Sequence, residues 1–151
     1  MTELSVAVKE QRKVISDFEK QLLSIVDNKE IFAGDNELCP LKHTFAHGVY
    51  VREMKVKKEM VIVGKIHQHD HISFLLSGKL LVATENGVKE FEGPCYFKAT
   101  AGTKRVGYVV EDAIWINIHP NPTDTEDLKI LEEKIIAKNY LEYEEFKQLK
   151  N

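Results

Sequence analysis

Lys65-Ile66-His67-Gln68-His69-Asp70-His71, with Gly78 seven residues further on, is the stretch that decides the reading of this chain. It holds three of the six histidines, one at every second position. In an extended segment the side chains at i, i+2 and i+4 project from one face, so His67, His69 and His71 are predicted to stand side by side. Grouped neutral imidazoles are donors for one divalent metal ion, and Zn, Fe, Ni and Mn all accept them. The competing reading is a polar strand edge whose histidines face a solvated cavity. Asp70 alternates to the opposite face and makes a poor co-ligand. His119 is the candidate fourth donor, on a face with Trp115 and Asn117 by period-two counting. Its alternative role is a strand-end residue before Pro120. A carboxylate from Glu53 or Glu59 is the other source, and spacing does not choose between them.

Outward from this stretch, residues 45–119 contain short β-rich runs and no helical periodicity. The runs are 49–54, 60–66, 72–76, 80–84, 88–91, 95–98, 106–110 and 114–118. Turn signals separate most of them: Ser77-Gly78, Glu85-Asn86-Gly87, Glu92-Gly93-Pro94, Ala101-Gly102 and Glu111-Asp112. Asn86-Gly87 suits a tight hairpin because both residues tolerate positive φ. Many short strands at this spacing predict a sandwich or small barrel, with Trp115, Phe74, Phe97 and Tyr96 in its core. His43 and His47 read as loop residues ahead of Gly48.

Helical patterns flank the strands. Across residues 3–28, Leu4, Val8, Gln11, Ile15, Phe18, Leu22 and Ile25 recur at steps of four and three. That stripe suits a helix packing on its own domain, and it is also heptad spacing suited to self-association. Residues 28–44 read as a connector. Thr123 and Glu126 have capping-box spacing ahead of Leu128, Leu131 and Ile135, and Tyr140, Leu141, Tyr143 and Phe146 mark a second short helix. The organisation expected is an N-terminal helix (1–30), a β-barrel (45–120) and a C-terminal helical segment (123–151) in one globular unit.

The 151 residues suffice for one core, and the net charge of −3 gives no basic surface for nucleic acid. No apolar run is long enough to span a bilayer, and the N-terminus lacks an apolar signal-peptide core. Cys39 and Cys95 form no C-x-x-C pair and read as reduced thiols, Cys95 as a small core residue. A cytoplasmic protein is the expectation.

Residues 60–119 resemble the cupin superfamily, small jelly-roll β-barrels. The carrying strings are GKIHQHDHISFLLSGKLLV and, after a hairpin, EFEGPCYFKATAGTKRVGYVV. The resemblance implies a mostly β fold: a single cupin-like barrel with flanking N- and C-terminal α-helices. It also implies a metal held by a histidine pair and a glutamate from the first motif and a histidine from the second. Registered on Gly78, the glutamate position is His71, the second histidine of the pair is His67, the first is Lys65, and His69 is an extra. In the second motif Gly93 and Gly102 fit, the proline falls on Thr100 and the histidine on Arg105. Arginine stays protonated and ligates no metal. Cupin geometry instead puts Arg105 at the cavity mouth, where it would clamp a carboxylate or phosphate; the alternative is a surface cation on a turn. Lys104 and Arg52 are weaker candidates of the same kind. GVYVREM, GKIHQHDH, AGTKRVGYVVED and WINIHP also look like short single-domain cupin-like proteins of bacteriophages, which would place the protein in a host cytoplasm or virion. Two functions are left standing. One is a non-enzymatic, homo-oligomeric binding or assembly protein with a small-molecule or metal pocket. The other is a metal-dependent enzyme of isomerase, lyase or dioxygenase type acting on a small anionic metabolite.

Overall fold

Two long antiparallel strands organise the molecule. In the computed structural model, which describes residues 4–25, 37 and 39–150, helix α1 (Val6–Ile25) precedes β1 (Leu41–Ala46), β2 (Gly48–Val56), β3 (Val61–Val63) and β4 (Ile66–His67). Then come β5 (His71–Thr84), β6 (Gly87–Glu92), β7 (Cys95–Ala99), β8 (Val106–Asn121), α2 (Leu128–Ile135), β9 (Ile136–Ala137) and α3 (Tyr140–Lys150). The fold is mostly β. The first half of β5 pairs with β7 and with the second half of β8, which β2 and β1 extend. The second half of β5 pairs with β6 and with the first half of β8, which β3 extends. The two long strands therefore run through both faces of a rolled sheet, and β4 and β9 form a separate pair.

The change of face happens where the sequence suggested turns. Runs 72–76 and 80–84 are one strand, and so are 106–110 and 114–118. The β5–β8 register shifts around Ser77 and Lys79, the mark of a bulge that bends a strand from one sheet into another. Gly78 sits there at φ +89° with its backbone against Asp112 and Ala113; a Cβ would lie 2.6 Å from Ala113 Cα. Gly78 is thus a bulge glycine in a continuous strand, and Glu111-Asp112 is no turn. At the other end of β5 the hairpin to β6 closes on Thr84 opposite Gly87, with Gly87 at φ +111° and Glu85-Asn86 between.

The core between the layers holds Leu75, Leu80, Val82, Val109, Val56, Cys39 and Trp115, with Phe97, Phe91 and Cys95 packed against it. Tyr96 is 72% exposed and its ring lies tilted against Phe74 on the outer face, so neither is the core residue expected from its apolar run; β7 alternates Cys95 and Phe97 inward and Tyr96 outward. Residues 41–44, assigned to a connector by sequence, form edge strand β1 together with residues 45–46.

Helix α1 lies against α3 and the barrel of its own chain. Arg12 bonds Glu144 at 2.9 Å, approaches Glu85 at 3.8 Å and lies 4.5 Å over the Tyr140 ring. Ile15 is buried, whereas Phe18 of the predicted stripe is half exposed. The ends of the predicted 3–28 helix and most of the connector before residue 39 lie outside the described residues. The cap of α2 is Asp127, whose carboxylate accepts from the N–H groups of Lys129 and Ile130; Thr123 takes no part in it. Asn139 Oδ1 accepts from Glu142 N–H at 2.8 Å at the start of α3. No helix among the described residues is long and apolar enough to cross a membrane.

Candidate metal centre

Three strands each contribute one histidine to the same point. His67 leaves β4, His71 opens β5 and His119 lies near the end of β8. The rings of His67 and His71 are 4.2 Å apart, those of His71 and His119 4.7 Å, and those of His67 and His119 5.2 Å, centroid to centroid. One nitrogen of each lies within 4.8 Å of the others. His71 and His119 are buried and His67 nearly so. The cross-strand register makes the meeting of His71 and His119 unavoidable, since Ile72 faces Ile118. His67 arrives differently. The chain bends over residues 68–70, where Gln68 N–H donates to Ile135 O at 2.7 Å and its side-chain amide to Ile136 O at 2.9 Å.

That bend corrects the predicted row of three. His69 swings outward to α3, edge-on to Phe146 at 5.2 Å and 3.2 Å from Lys150 Nζ. His119 takes the place expected for His69 and is not a loop cap. Asp70 also points away, accepting from Ala101 N–H at 2.8 Å. Glu53 faces Lys42 across β1 and β2, and Glu59 sits exposed at φ +73° beyond the end of β2. Neither joins the histidines.

Burial dominates the electrostatics. It holds His71 at about 4, with the Arg105 charge adding to the effect. It holds His119 at about 3, helped by His71 and Arg52, and it drives His67 well below the usual histidine range, followed by the effects of His71 and His119. All three are neutral at pH 7, with lone pairs on offer. His67 Nδ1 and His71 Nδ1 are buried without a hydrogen-bond partner, and unpaired buried polar atoms are costly enough to be rare. Three neutral imidazoles, two of them with unsatisfied nitrogens, fit a divalent transition ion.

The histidines open onto a cavity of about 300 Å³, at the small end of ligand pockets. Behind them Ser73 Oγ donates to Asn117 Oδ1 at 2.7 Å and Trp115 Nε1 donates to the same oxygen at 2.9 Å. His43 Nδ1 and the Tyr50 hydroxyl are 2.7 Å apart on the β1–β2 side. His43 is therefore a strand residue of the cavity, not a loop residue; His47 is the exposed one, 2.8 Å from Asp124. Arg52 and Arg105 both line the cavity. Arg105 lies 5.9 Å over the Phe97 ring, and burial lowers its pKa. Lys104, its neighbour, turns the other way, buried in an ion pair with Glu19 of α1, and drops out as a ligand-binding candidate. Sequence reasoning missed the wall built by α2, where Leu128, Leu131 and Ile135 line the cavity and Glu132 pairs with Lys65 at its rim. The i, i+3, i+7 spacing of those apolar residues was visible; the surface they cover was not. Ser73, two residues from His71 on its face, was likewise in plain view.

No protein-family model matches the sequence, and no curated protein matches it. Among solved structures, the chain is similar to KdgF from a Halomonas species, with a TM-score of 0.50 and 16% identity over 62% of this chain and 87% of that one. It is similar to a variant of oxalate decarboxylase from B. subtilis, with a TM-score of 0.50 and 10% identity over 61% of this chain and 28% of that one. An RmlC-like cupin from Shewanella frigidimarina gives a TM-score of 0.49 and 14% identity over 62% and 83%. The fold is the cupin β-barrel, as the two motif strings imply; at these identities the likeness speaks of fold alone.

Proposed function

We propose that this protein binds one divalent transition metal ion through His67, His71 and His119 and holds a small anionic ligand beside it, oriented by Arg52 and Arg105. The observation that carries the reading is the convergence of three buried, neutral imidazoles within 4.8 Å, two of them with unpartnered buried nitrogens. A bound ion would act as a Lewis acid on a ligand oxygen. The chain's own residues would do the rest. Asn117 and Ser73 fix the face from which His71 projects, α2 and the Lys65–Glu132 pair cover the cavity and restrict water, and the two guanidiniums attract and align the anion.

The enzymatic form of this reading has a specific point in its favour. Among the described residues no fourth His, Cys, Asp or Glu joins the group. Three protein donors is the count of zinc sites that keep a position for water or substrate, whereas structural sites close with four.

Metal content of untagged protein, purified and then incubated with zinc and desalted, tests the assignment. About one equivalent is expected in the parent and in a His69→Ala variant, and almost none in His67→Ala/His71→Ala. Retention of zinc by the double variant, or its absence from the parent, refutes the site.

A further inference from the structure

The inner face of the β1–β2–β8–β5 sheet is arranged in cross-strand layers. Tyr50 faces His119 in the layer of the histidines. His43 faces Arg52, which faces Asn117, which faces Ser73, in the next. Leu41 faces Met54, which faces Trp115, which faces Leu75, in the third. Chemistry changes abruptly between the second layer and the third. Arg52 belongs to the second. Arg105 lines the same cavity over the Phe97 ring, close enough to the histidines for its charge to help hold His67 and His71 neutral.

Neither guanidinium forms an ion pair among the described residues, and both stay charged at any accessible pH. The one carboxylate in the cavity lining, Glu132, is already paired with Lys65. The histidine end of the cavity thus carries two positive charges without a contact ion pair, Arg105 opposed only at longer range by Glu85, and partly buried charges of one sign call for a counter-ion. The third layer offers the opposite. Its only polar side-chain atom, Trp115 Nε1, is spent on Asn117, and the β5 residues Leu80 and Val82, which also line the cavity, pack in one cluster with Leu75 and Trp115. A second polar head placed there would lose its water and find no partner.

Resting on the metal-and-anion reading above, we infer that the ligand is an amphipathic monocarboxylic acid: its carboxylate lies between Arg52 and Arg105 beside the histidines, and its hydrocarbon body lies against Met54, Trp115, Leu80 and Val82. Diacids and polyhydroxylated acids are excluded by the same layer that receives the hydrocarbon.

The test uses the full chain loaded with zinc. Trp115 is the chain's single tryptophan and lines the cavity, so its fluorescence reports occupancy. Hexanoate, adipate, acetate and 1-hexanol are titrated as probes. Hexanoate is expected to bind about tenfold or more tighter than each of the others, from its buried methylenes on one side and its charged head on the other. Arg52→Met and Arg105→Met are each expected to weaken hexanoate by about tenfold with zinc content unchanged. Met54→Gln is expected to lower affinity for hexanoate and not for acetate. Adipate binding as tightly as hexanoate, acetate matching hexanoate, or no saturable change with any probe in zinc-loaded protein overturns the acid class while leaving the metal site intact. Protein that holds no zinc yet keeps the hexanoate preference does the reverse.

Discussion

Acidification of the metal-free protein puts a number on the cost of the histidine cluster. His71 and His119 have an ordinary pKa of 6.5 in the unfolded chain and about 4 and about 3 in the folded one. Folding is stabilised while both states are neutral, above pH 6.5. As the pH falls below 6.5 the unfolded chain takes up a proton at each site and the folded chain does not, so stability is lost, and the loss is complete only below the folded values. Between pH 6.5 and 4.5 each group contributes two pH units at about 1.4 kcal/mol per unit, which makes about 5 kcal/mol for the pair. His67 shifts in the same direction. Total stabilities of domains run from about 5 to 15 kcal/mol, so the chelator-treated protein is expected to approach unfolding near pH 4.5. Urea unfolding at pH 7.5 and 4.5, with chelator present, measures the difference. Carboxylates add their own dependence, so the decisive comparison is a His71→Gln/His119→Gln variant, whose loss over that interval should be smaller by about 5 kcal/mol. A variant that loses as much as the parent refutes the claim that these rings are held neutral by burial.

Two further outcomes concern the frame around the site. Gly78→Ala should lower stability by about 2–5 kcal/mol, since the new Cβ meets Ala113 at a left-handed φ; an unchanged urea midpoint would mean that β5 and β8 do not cross as closely there as described. Asp127→Ala should cost about 1 kcal/mol through loss of the α2 cap, whereas Thr123→Ala should stay within about 0.5 kcal/mol, and the reverse order would restore the capping box to Thr123.

Most strands were legible because a half-buried face goes with an alternating pattern, as in β7 and the second half of β8, and the two motif strings placed them in a cupin barrel. What escaped was everything set by contacts between distant segments. His67 and His71 meet although four residues apart, and His69 between them leaves, because Gln68 bonds to α2 and β9 and Asp70 to Ala101 rather than to a neighbouring strand. Period-two counting presupposes a ladder, and none forms there. Lys104 and Arg105 are adjacent and equally basic; their fates divide because one meets Glu19 on a helix some 85 residues away in sequence.

The deepest ambiguity lay in β5 itself. In residues 72–76 the alternate set Ile72, Phe74 and Leu76 is apolar, and it would make a sound inner face. With Leu80 and Val82 inside, regular alternation would choose that set and turn His71 and Ser73 outward. The buried residues are instead His71, Ser73 and Leu75 and then Leu80 and Val82, so the parity changes from odd to even between Leu75 and Leu80. On β8 the buried positions stay odd throughout, from Gly107 and Val109 to Trp115, Asn117 and His119. From the pair Leu75–Trp115 to the pair Leu80–Val109, β5 advances five residues while β8 retreats six. One unmatched residue at the bulge supplies the change of parity, and Gly78 allows the close crossing at which it happens. The glycine that anchors the first motif therefore does more than mark a register in the sequence: it puts His71 on the inner face, opposite His119, and turns Ile72, Phe74 and Leu76 to the outer one.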